Sequence, residues 1–140
     1  QDTCVIHGTP EQDTVVEVDG HVGHGAVLHG CTIGRNVLVG MNAVVMDQAD
    51  VGADSIIGAM AFVKKGMVIP ARSLVAGAPA KIIKELKDEE IKQKVLGTHM
   101  YQRLAQRSLA TMERVEPLRE VEPNRARLTG DVIYPDYYKS

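Results

Sequence analysis

Aliphatic residues recur at every sixth position through the middle of the chain. The regular series is Ile33, Val39, Val45, Val51, Ile57, Val63, Ile69 and Val75, and Val22 and Leu28 carry the same period upstream. A period of six matches neither the 3.6-residue period of an α-helix nor the two-residue alternation of an ordinary strand. It is typical of a parallel β-helix, in which each hexad forms one short strand and three hexads make one turn of a triangular prism. We therefore predict that these aliphatic side chains fill the prism.

Small residues occupy two further positions of the hexads. Glycine follows four of the aliphatic residues directly, and the fifth position of most hexads is small or β-branched: Val37, Ala43, Ala49, Ser55 and Ala61. We expect the small side chains near the tight corners, where glycine tolerates the turn geometry. A chance rhythm in a valine-rich chain is the alternative, and eight consecutive hexads argue against it.

Two segments depart from the repeat. Residues 9–20 are polar and end in the turn signal Asp19-Gly20, so we expect them to loop out from a corner. After Pro79 the pattern becomes helical, with acidic residues at 88–90 followed by an apolar stripe. The stripe consists of Ile91, Val95, Leu104, Leu109 and Met112.

These patterns divide the chain into three parts. We predict a β-helix over residues 1–80, a helical segment over 81–113 and an extended tail over 114–140. Because Gln1 is not an initiator methionine and residues 1–7 resemble the middle of a strand, we expect the β-helix to be N-terminally incomplete.

The composition narrows the class of protein. The chain has 140 residues, 4% of them aromatic and none of them Trp, which suits one narrow core of small and β-branched side chains. The formal net charge is −2 and no basic block interleaves with aromatic residues, so a nucleic-acid partner is not expected. No apolar run is long enough to span a membrane and no signal peptide opens the chain, so we expect a cytoplasmic protein. Cys4 and Cys31 lack metal-binding spacing, and we expect both to be small core residues.

The histidines are clustered, since four of the five fall within 23 residues. In the hexad register His24 and His29 lie on successive strands, hence on different faces of the prism, and both project outward. One metal ion cannot easily bind both side chains of a single narrow prism, because zinc–nitrogen distances are about 2.0 Å. Association of prisms about a threefold axis would bring the two faces together. The register leaves open whether His7 stacks over His24 or over His29. The alternative to a shared metal site is that these histidines are solvated surface residues with no common function.

Three neutral imidazoles with an open fourth position are typical of a catalytic zinc site. Such a metal lowers the pKa of bound water to about 7 and so supplies hydroxide near neutral pH. The chemistry indicated is attack on a carbonyl-like carbon in CO2, an ester or a thioester. Histidine ligands also accept cobalt or iron, so Zn²⁺ is the expected cofactor with Co²⁺ or Fe²⁺ as alternatives.

The segments QDTCVIHG and GHVGHGAVLHGCTIG resemble the metal-binding core of the γ-class carbonic anhydrases, which are trimeric left-handed β-helix proteins. The resemblance implies a left-handed parallel β-helix with a C-terminal α-helix. It also implies that His7 and His29 of one subunit and His24 of the adjacent subunit bind the metal. Gln1 would hydrogen-bond the metal-bound water or the substrate, and Asp2 would orient groups across the interface.

Longer segments resemble one subgroup of this family, which contains the phenylacetic acid degradation protein PaaY and its carnitine-operon relative CaiE. They are VVMDQADVGADSIIGAMAFVKKG, VAGAPAKIIKEL, GTHMYQRLAQR and VEPLREVEPNR, and with the core they cover nearly the whole chain. The subgroup implies a role in acyl-CoA catabolism, with thioester hydrolysis as the expected activity. Tyr101 matches a tyrosine that approaches the metal site in several relatives, while a simple helix-packing role is the alternative. His21 matches no ligand, and we expect it at the surface or behind the ligands.

The substrate is the least determined part of the prediction. CO2 hydration needs a proton relay, and Glu11 is the nearest carboxylate after His7. A CoA thioester needs a positive rim for its phosphates, which Lys64 and Lys65 would supply together with Arg72 and Lys81. The alternative is that these four basic residues are solvated surface charges that bind no substrate.

Two rival functions remain. The segment VAGAPAKII also resembles the end of many acyl-CoA-dependent acyltransferases of this fold, which use one histidine as a base and need no metal. The other rival is a non-catalytic trimeric scaffold.

Overall fold

The computed structural model describes residues 1–125, in which thirteen short strands precede one α-helix. The strands are β1 Val5–His7, β2 Val15–Val16, β3 His21–Val22, β4 Val27–His29, β5 Thr32–Ile33, β6 Leu38–Val39, β7 Val44–Val45, β8 Asp50–Val51, β9 Ile56–Ile57, β10 Phe62–Val63, β11 Val68–Ile69, β12 Ser73–Ala76 and β13 Lys81–Glu85, and the helix is α1 Asp88–Thr111.

The first twelve strands form the three faces of a prism. The face orders are β1-β4-β7-β10, β2-β5-β8-β11 and β3-β6-β9-β12, so every strand pairs with the strand three further along the chain. All of these pairs are parallel. The predicted left-handed parallel β-helix with a C-terminal helix is therefore confirmed.

The repeated aliphatic residues fill the prism as predicted. All eight members of the series from Ile33 to Val75 are at most 1% exposed, and so are the small residues at the fifth position of the hexads. Cys31 is fully buried in the same core, and Cys4 packs against it while partly exposed. The six-residue period therefore reflects one large inward aliphatic side chain, together with one small buried residue, for each face of the prism.

The corners have a regularity of their own. Residues three positions after successive aliphatic ones adopt the left-handed conformation, with φ between 54° and 69°: Asn36, Asn42, Gln48, Asp54, Met60, Gly66 and Arg72. The backbone N–H of each donates to a carbonyl of the preceding coil. Asn, Asp and Gly tolerate this conformation best, which explains their recurrence in the series.

Two segments differ from the sequence-based expectation. Residues 9–20 do not loop out as a whole, because Val15 and Val16 form strand β2, which pairs with β5. Lys81–Glu85 is not helical, since it turns back as β13 and pairs antiparallel with β12. Strand β12 lies at the edge of its face of the prism, where its backbone N–H and C=O groups need partners. Residues 81–85 supply these partners as a strand, which a helix could not do.

The C-terminal helix docks through polar residues. Its buried members are Lys94 and Thr98, whereas the predicted stripe is only partly covered at Ile91, Val95 and Leu104. Leu109 and Met112 lie exposed. The expectation of a continuous apolar docking stripe is thus wrong for the last two turns of the helix.

One corner of the prism receives these polar side chains. Lys94 Nζ donates to Asn36 Oδ1 at 2.5 Å and to the Asp19 carbonyl at 3.2 Å. Gln102 Nε2 donates to Asp19 Oδ1 at 2.9 Å, and Arg72 forms an ion pair with Asp88 at the start of the helix. The helix therefore follows a column of left-handed corner residues from the last coils back toward the first.

Residues 113–125 form neither helix nor strand and are exposed. The remainder of the predicted tail, 126–140, lies outside the described residues. Over the residues that are described, no helix is both long and apolar enough to cross a membrane.

Close packing of the coils predicts opposite effects for two glycine substitutions. A Cβ at Gly40 would lie 2.5 Å from the Ala59 backbone nitrogen, whereas a Cβ at Gly97 in α1 meets no atom within 4 Å. Gly40→Ala should lower the free energy of unfolding by about 1–3 kcal/mol. Gly97→Ala should raise it by about 0.5–1 kcal/mol, because alanine favours helix. Urea denaturation of both variants checks this, and equal effects would contradict the packing.

The buried lysine predicts a pH-dependent stability. Burial lowers the pKa of Lys94 to about 8 from its usual 10.5. Between these values the unfolded chain binds more protons, so the free energy of unfolding should rise with pH, by at most about 3 kcal/mol. Lys94→Met should lack this rise while other groups titrate as before. Denaturation of both proteins from pH 7 to 10.5 measures the difference, and parallel pH profiles would show that Lys94 is not the cause.

Candidate functional site

The structure brings His7 and His29 together. They end neighbouring strands β1 and β4 and are directly paired in register. His7 Nδ1 lies 3.1 Å from His29 Nε2, and the rings stack at 4.9 Å between centroids. The sequence register left open which histidine lies over which. With the actual length of the loop between β1 and β2, strand β1 pairs with β4, and His7 therefore lies over His29.

Asp47 fixes the second of these rings. Its Oδ1 lies 2.7 Å from His29 Nδ1, and its side chain is only 24% exposed. The hydrogen bond from His29 is the largest cause that holds the pKa of Asp47 below its usual range. A carboxylate that accepts from Nδ1–H leaves Nε2 with its lone pair free to bind a cation. Nε2 is the atom that faces His7.

Sequence reasoning missed Asp47. His29, Asp47 and Lys65 follow one another at intervals of 18 residues, which is three hexads. The five-residue segment LHGCT moves His29 out of the hexad position that Asp47 and Lys65 share. The turn that contains this segment is 17 residues long, since Leu28 pairs with Val45, so Asp47 lies one residue beyond the register partner of His29. The contact between them follows from this offset, which the sequence period does not show.

His24 lies apart from this pair, in the turn between β3 and β4. Its Nδ1 is 3.2 Å from Asp2 Oδ2, so this ring also has a carboxylate on one nitrogen and Nε2 free. Within residues 1–125 of one chain, no three His, Cys, Asp or Glu side chains surround a position for a metal ion. The three predicted ligands thus fall into a pair and a single residue on different parts of the prism.

The donor set of the pair fits a divalent cation. Tetrahedral zinc with Zn–N distances of about 2.0–2.1 Å needs ligand nitrogens about 3.3 Å apart. The 3.1 Å between His7 and His29 is close to that value. Both rings are partly exposed at the outer face of the prism, so a third ligand and water can approach from outside.

A groove of about 400 Å³ opens beside His29 and Asp47. The loop before β2 contributes Thr9, Glu11 and Gln12 to one wall, and Gln48 and Lys65 complete the other. Of the residues predicted to form a basic rim, Lys65 lines this groove, and its role in binding a substrate stays a prediction. Lys64 is exposed and is not part of the wall.

Gln1 and Tyr101 meet elsewhere, around His21. Gln1 Nε2 is 2.7 Å from His21 Nε2, and the Tyr101 ring contacts the His21 ring edge-on at 5.0 Å. Tyr101 thus reaches no predicted ligand of its own chain in the described residues. Gln1 and Asp2 precede the same coil as His24, which groups these residues on one side of the prism.

The two cysteines are not candidates for catalysis. Burial raises the pKa of the Cys31 thiol to about 11, so the reactive thiolate is disfavoured. Cys4 Sγ contacts the Gly23 carbonyl at 3.1 Å beside the core. Both therefore act as small packing residues, as the sequence predicted.

Comparison with known proteins agrees with this architecture. The family model "Bacterial transferase hexapeptide (six repeats)" matches residues 30–65. The carnitine operon protein CaiE of Escherichia coli K12 and that of Salmonella agona are each 48% identical over 130 residues, which is 93% of this chain. The chain spans 66% of the length of these relatives, just under two thirds.

Solved structures show the same fold. A hexapeptide transferase family protein from Anaplasma phagocytophilum matches 76% of this chain and 62% of its own, with 34% identity and a TM-score of 0.71. A candidate acetyltransferase of Bacillus cereus matches 74% of this chain and 64% of its own, with 37% identity and a TM-score of 0.64. The hexad core, the family-model match and the similarity to CaiE identify the chain as a hexapeptide-repeat protein.

Proposed function

We propose that this chain is the subunit of a homotrimeric, metal-dependent hydrolase that acts on a carbonyl-like carbon, in the manner of the γ-class carbonic anhydrases. His7 and His29 of one subunit and His24 of the next would bind Zn²⁺, Co²⁺ or Fe²⁺. The observation that carries the proposal is the paired His7 and His29, with His29 Nδ1 held by Asp47 and His29 Nε2 facing His7 Nδ1 at 3.1 Å.

A shared site follows from the placement of the histidines. His24 lies in the turn at the other edge of the face that carries His7 and His29. Its own carboxylate, Asp2, leaves Nε2 free, as Asp47 does for His29. A neighbouring subunit arranged about a threefold axis can present such a corner to the His7–His29 pair. Two carboxylate-oriented half-sites would then meet at one interface.

The chemistry proposed is hydrolysis by an activated water. A bound divalent cation lowers the pKa of water to about 7 and so makes a nucleophile available near neutral pH. Asp47 and Asp2 hold the Nδ1 protons of His29 and His24 and keep the Nε2 atoms oriented. Gln1, next to Asp2, would hydrogen-bond the attacking water, and Glu11 in the groove wall would accept its proton.

The groove favours a CoA thioester as the substrate over CO2 alone. CO2 needs little space, whereas the volume of about 400 Å³ beside His29 admits part of a longer substrate. Lys65 lines that groove and would bind a CoA phosphate, with Lys64 next to it as a further surface charge. Tyr101 would contribute to the same site only from the adjoining subunit.

The second candidate is an acyl-CoA-dependent acyltransferase. The match to the bacterial transferase hexapeptide model and the similarity to a candidate acetyltransferase favour it. In that case a single histidine, His29 oriented by Asp47, would serve as the base, and no metal would be needed.

Metal removal separates the two candidates. We expect a chelator to abolish release of free CoA from aromatic or enoyl thioesters, and added Zn²⁺, Co²⁺ or Fe²⁺ to restore it. CO2 hydration should show the same metal dependence if that reaction is also catalysed. Acetyl transfer from acetyl-CoA that persists in the chelator would favour the acyltransferase instead. Absence of every one of these activities in a metal-loaded trimer would indicate a scaffold.

Hybrid trimers test the shared site. Neither His24→Ala nor His29→Ala alone should leave an intact set of ligands. In a mixed trimer of the two variants, one interface of three regains His7, His29 and His24 unmutated. Random mixing at equal amounts should therefore restore about a quarter of the wild-type metal content. Metal analysis of purified hybrids measures this, and no recovery would mean that the ligands are not shared in this way.

Replacement of Asp47 tests the orientation of His29. Asp47→Asn should weaken metal binding by about 10–100-fold, because the charge that fixes the Nδ1–H tautomer is lost. Asp50→Asn is the matched control, since Asp50 is an exposed carboxylate on another face of the same turn. Competition with a metal-binding dye measures both affinities, and size-exclusion chromatography checks assembly. Equal affinities in the two variants would contradict the role of Asp47.

A further inference from the structure

A second cluster of polar side chains lies between the first complete coil and the C-terminal helix. His21 is at its centre, and a cavity of about 260 Å³ opens beside it, lined by Gln1, Thr98, Tyr101 and Gln102. His21 is not among the metal ligands proposed above. Its two ring nitrogens contact two different parts of the chain, so the cluster connects the helix to the residues that precede His24.

The contacts define a directional chain of hydrogen bonds. Thr98 Oγ1 lies 3.3 Å from the Lys94 carbonyl, which can only accept, so the Thr98 hydroxyl donates there. The Thr98 oxygen, 3.3 Å from His21 Nδ1, then accepts from Nδ1–H. In neutral His21 this leaves Nε2 as an acceptor, and the Gln1 amide NH2 at 2.7 Å donates to it.

Two further observations support a neutral, fixed ring. The pKa of His21 is lowered, mainly by burial and then by the nearby charge of Lys94. The edge-on Tyr101 ring, at an interplanar angle of 67°, packs against the imidazole and restricts its rotation. A doubly protonated ring would need two acceptors, whereas the Gln1 group that faces His21 Nε2 is the NH2 donor, so Thr98 is the one acceptor in contact with the ring among residues 1–125.

We infer that His21 is a positioning residue: held by Thr98 of the C-terminal helix, it binds the NH2 group of the Gln1 amide and so leaves the carbonyl oxygen of that amide available as the acceptor for the attacking water. This inference rests on the proposed function, in which Gln1 contacts the attacking water. An amide oxygen accepts a hydrogen bond from that water and orients its lone pair toward the substrate. The opposite tautomer of His21 would turn the amide and present a donor instead.

The hydrogen-bond chain can be tested without any activity. Long-range ¹H–¹⁵N NMR of histidine-labelled full protein reports which ring nitrogen carries the proton, and the His21 signal is assigned by its loss in His21→Gln. We expect the Nδ1–H tautomer in the wild type and in Thr98→Ser. In Thr98→Val, which removes the acceptor, the Nε2–H form should become populated. A wild-type ring protonated on Nε2 would overturn the inference.

Kinetics of the metal-loaded trimer test the consequence for Gln1. Thr98→Val should lower kcat by about tenfold while KM and metal affinity stay near the wild-type values, because an interaction made in the transition state is lost. Thr98→Ser should retain kcat. Gln102→Leu is the matched control, since it removes a contact of the same helix with Asp19 and leaves the His21 chain intact.

The outcomes distinguish the two proposals. Unchanged kcat in Thr98→Val, or an equal loss in Gln102→Leu, would overturn the positioning role of His21. A protein that binds no metal would overturn the proposed function, and the tautomer measurement would still decide the hydrogen-bond chain on its own.

Discussion

Parallel pairing between successive coils is the constraint on which the rest of this structure depends. Each strand bonds to the strand one turn away, so side chains of adjacent coils lie above one another in columns. Inside the prism the columns are aliphatic and close-packed. At one outer edge the same stacking brings His7 against His29, with Asp47 and Lys65 in the following coils. The cluster of His7, His29 and Asp47 is thus assembled by the stacking of successive coils.

The sequence predicted what depends on the period alone. All eight aliphatic positions are buried. The prediction that His24 and His29 lie on successive strands is wrong, because His24 lies in the turn that precedes the strand of His29. The sequence did not predict what depends on irregular segments. The pairing of His7 with His29 requires the real length of the loop before β2, and the contact of His29 with Asp47 crosses the shortened segment LHGCT. Periodicity defines a register only where no residue is added or removed.

The C-terminal segment was less predictable for a different reason. Apolar periodicity predicted a stripe, but the helix buries Lys94 against the corner residues Asp19 and Asn36, and Thr98 against His21. Docking through polar side chains cannot be predicted without the partner surface. A polar group is buried only where a hydrogen-bond partner meets it, and the sequence of the helix alone does not show that partner. Likewise, Lys81–Glu85 pairs as a strand with the edge of β12, although the sequence pattern of this segment did not predict a strand.

Polar docking also gives the helix a role that an apolar stripe would not supply. Apolar contacts tolerate small rotations and shifts, whereas hydrogen bonds require defined donors and acceptors at defined distances. Thr98 lies about one helical turn after Lys94 and Tyr101 about two turns after it, so the anchor at Asn36 sets the position of both relative to His21. The helix therefore transmits the geometry of the prism corner to the side of the molecule that carries Gln1, Asp2 and His24. The coils of the β-helix resemble one another, and the contacts with α1 distinguish the first coil from the others.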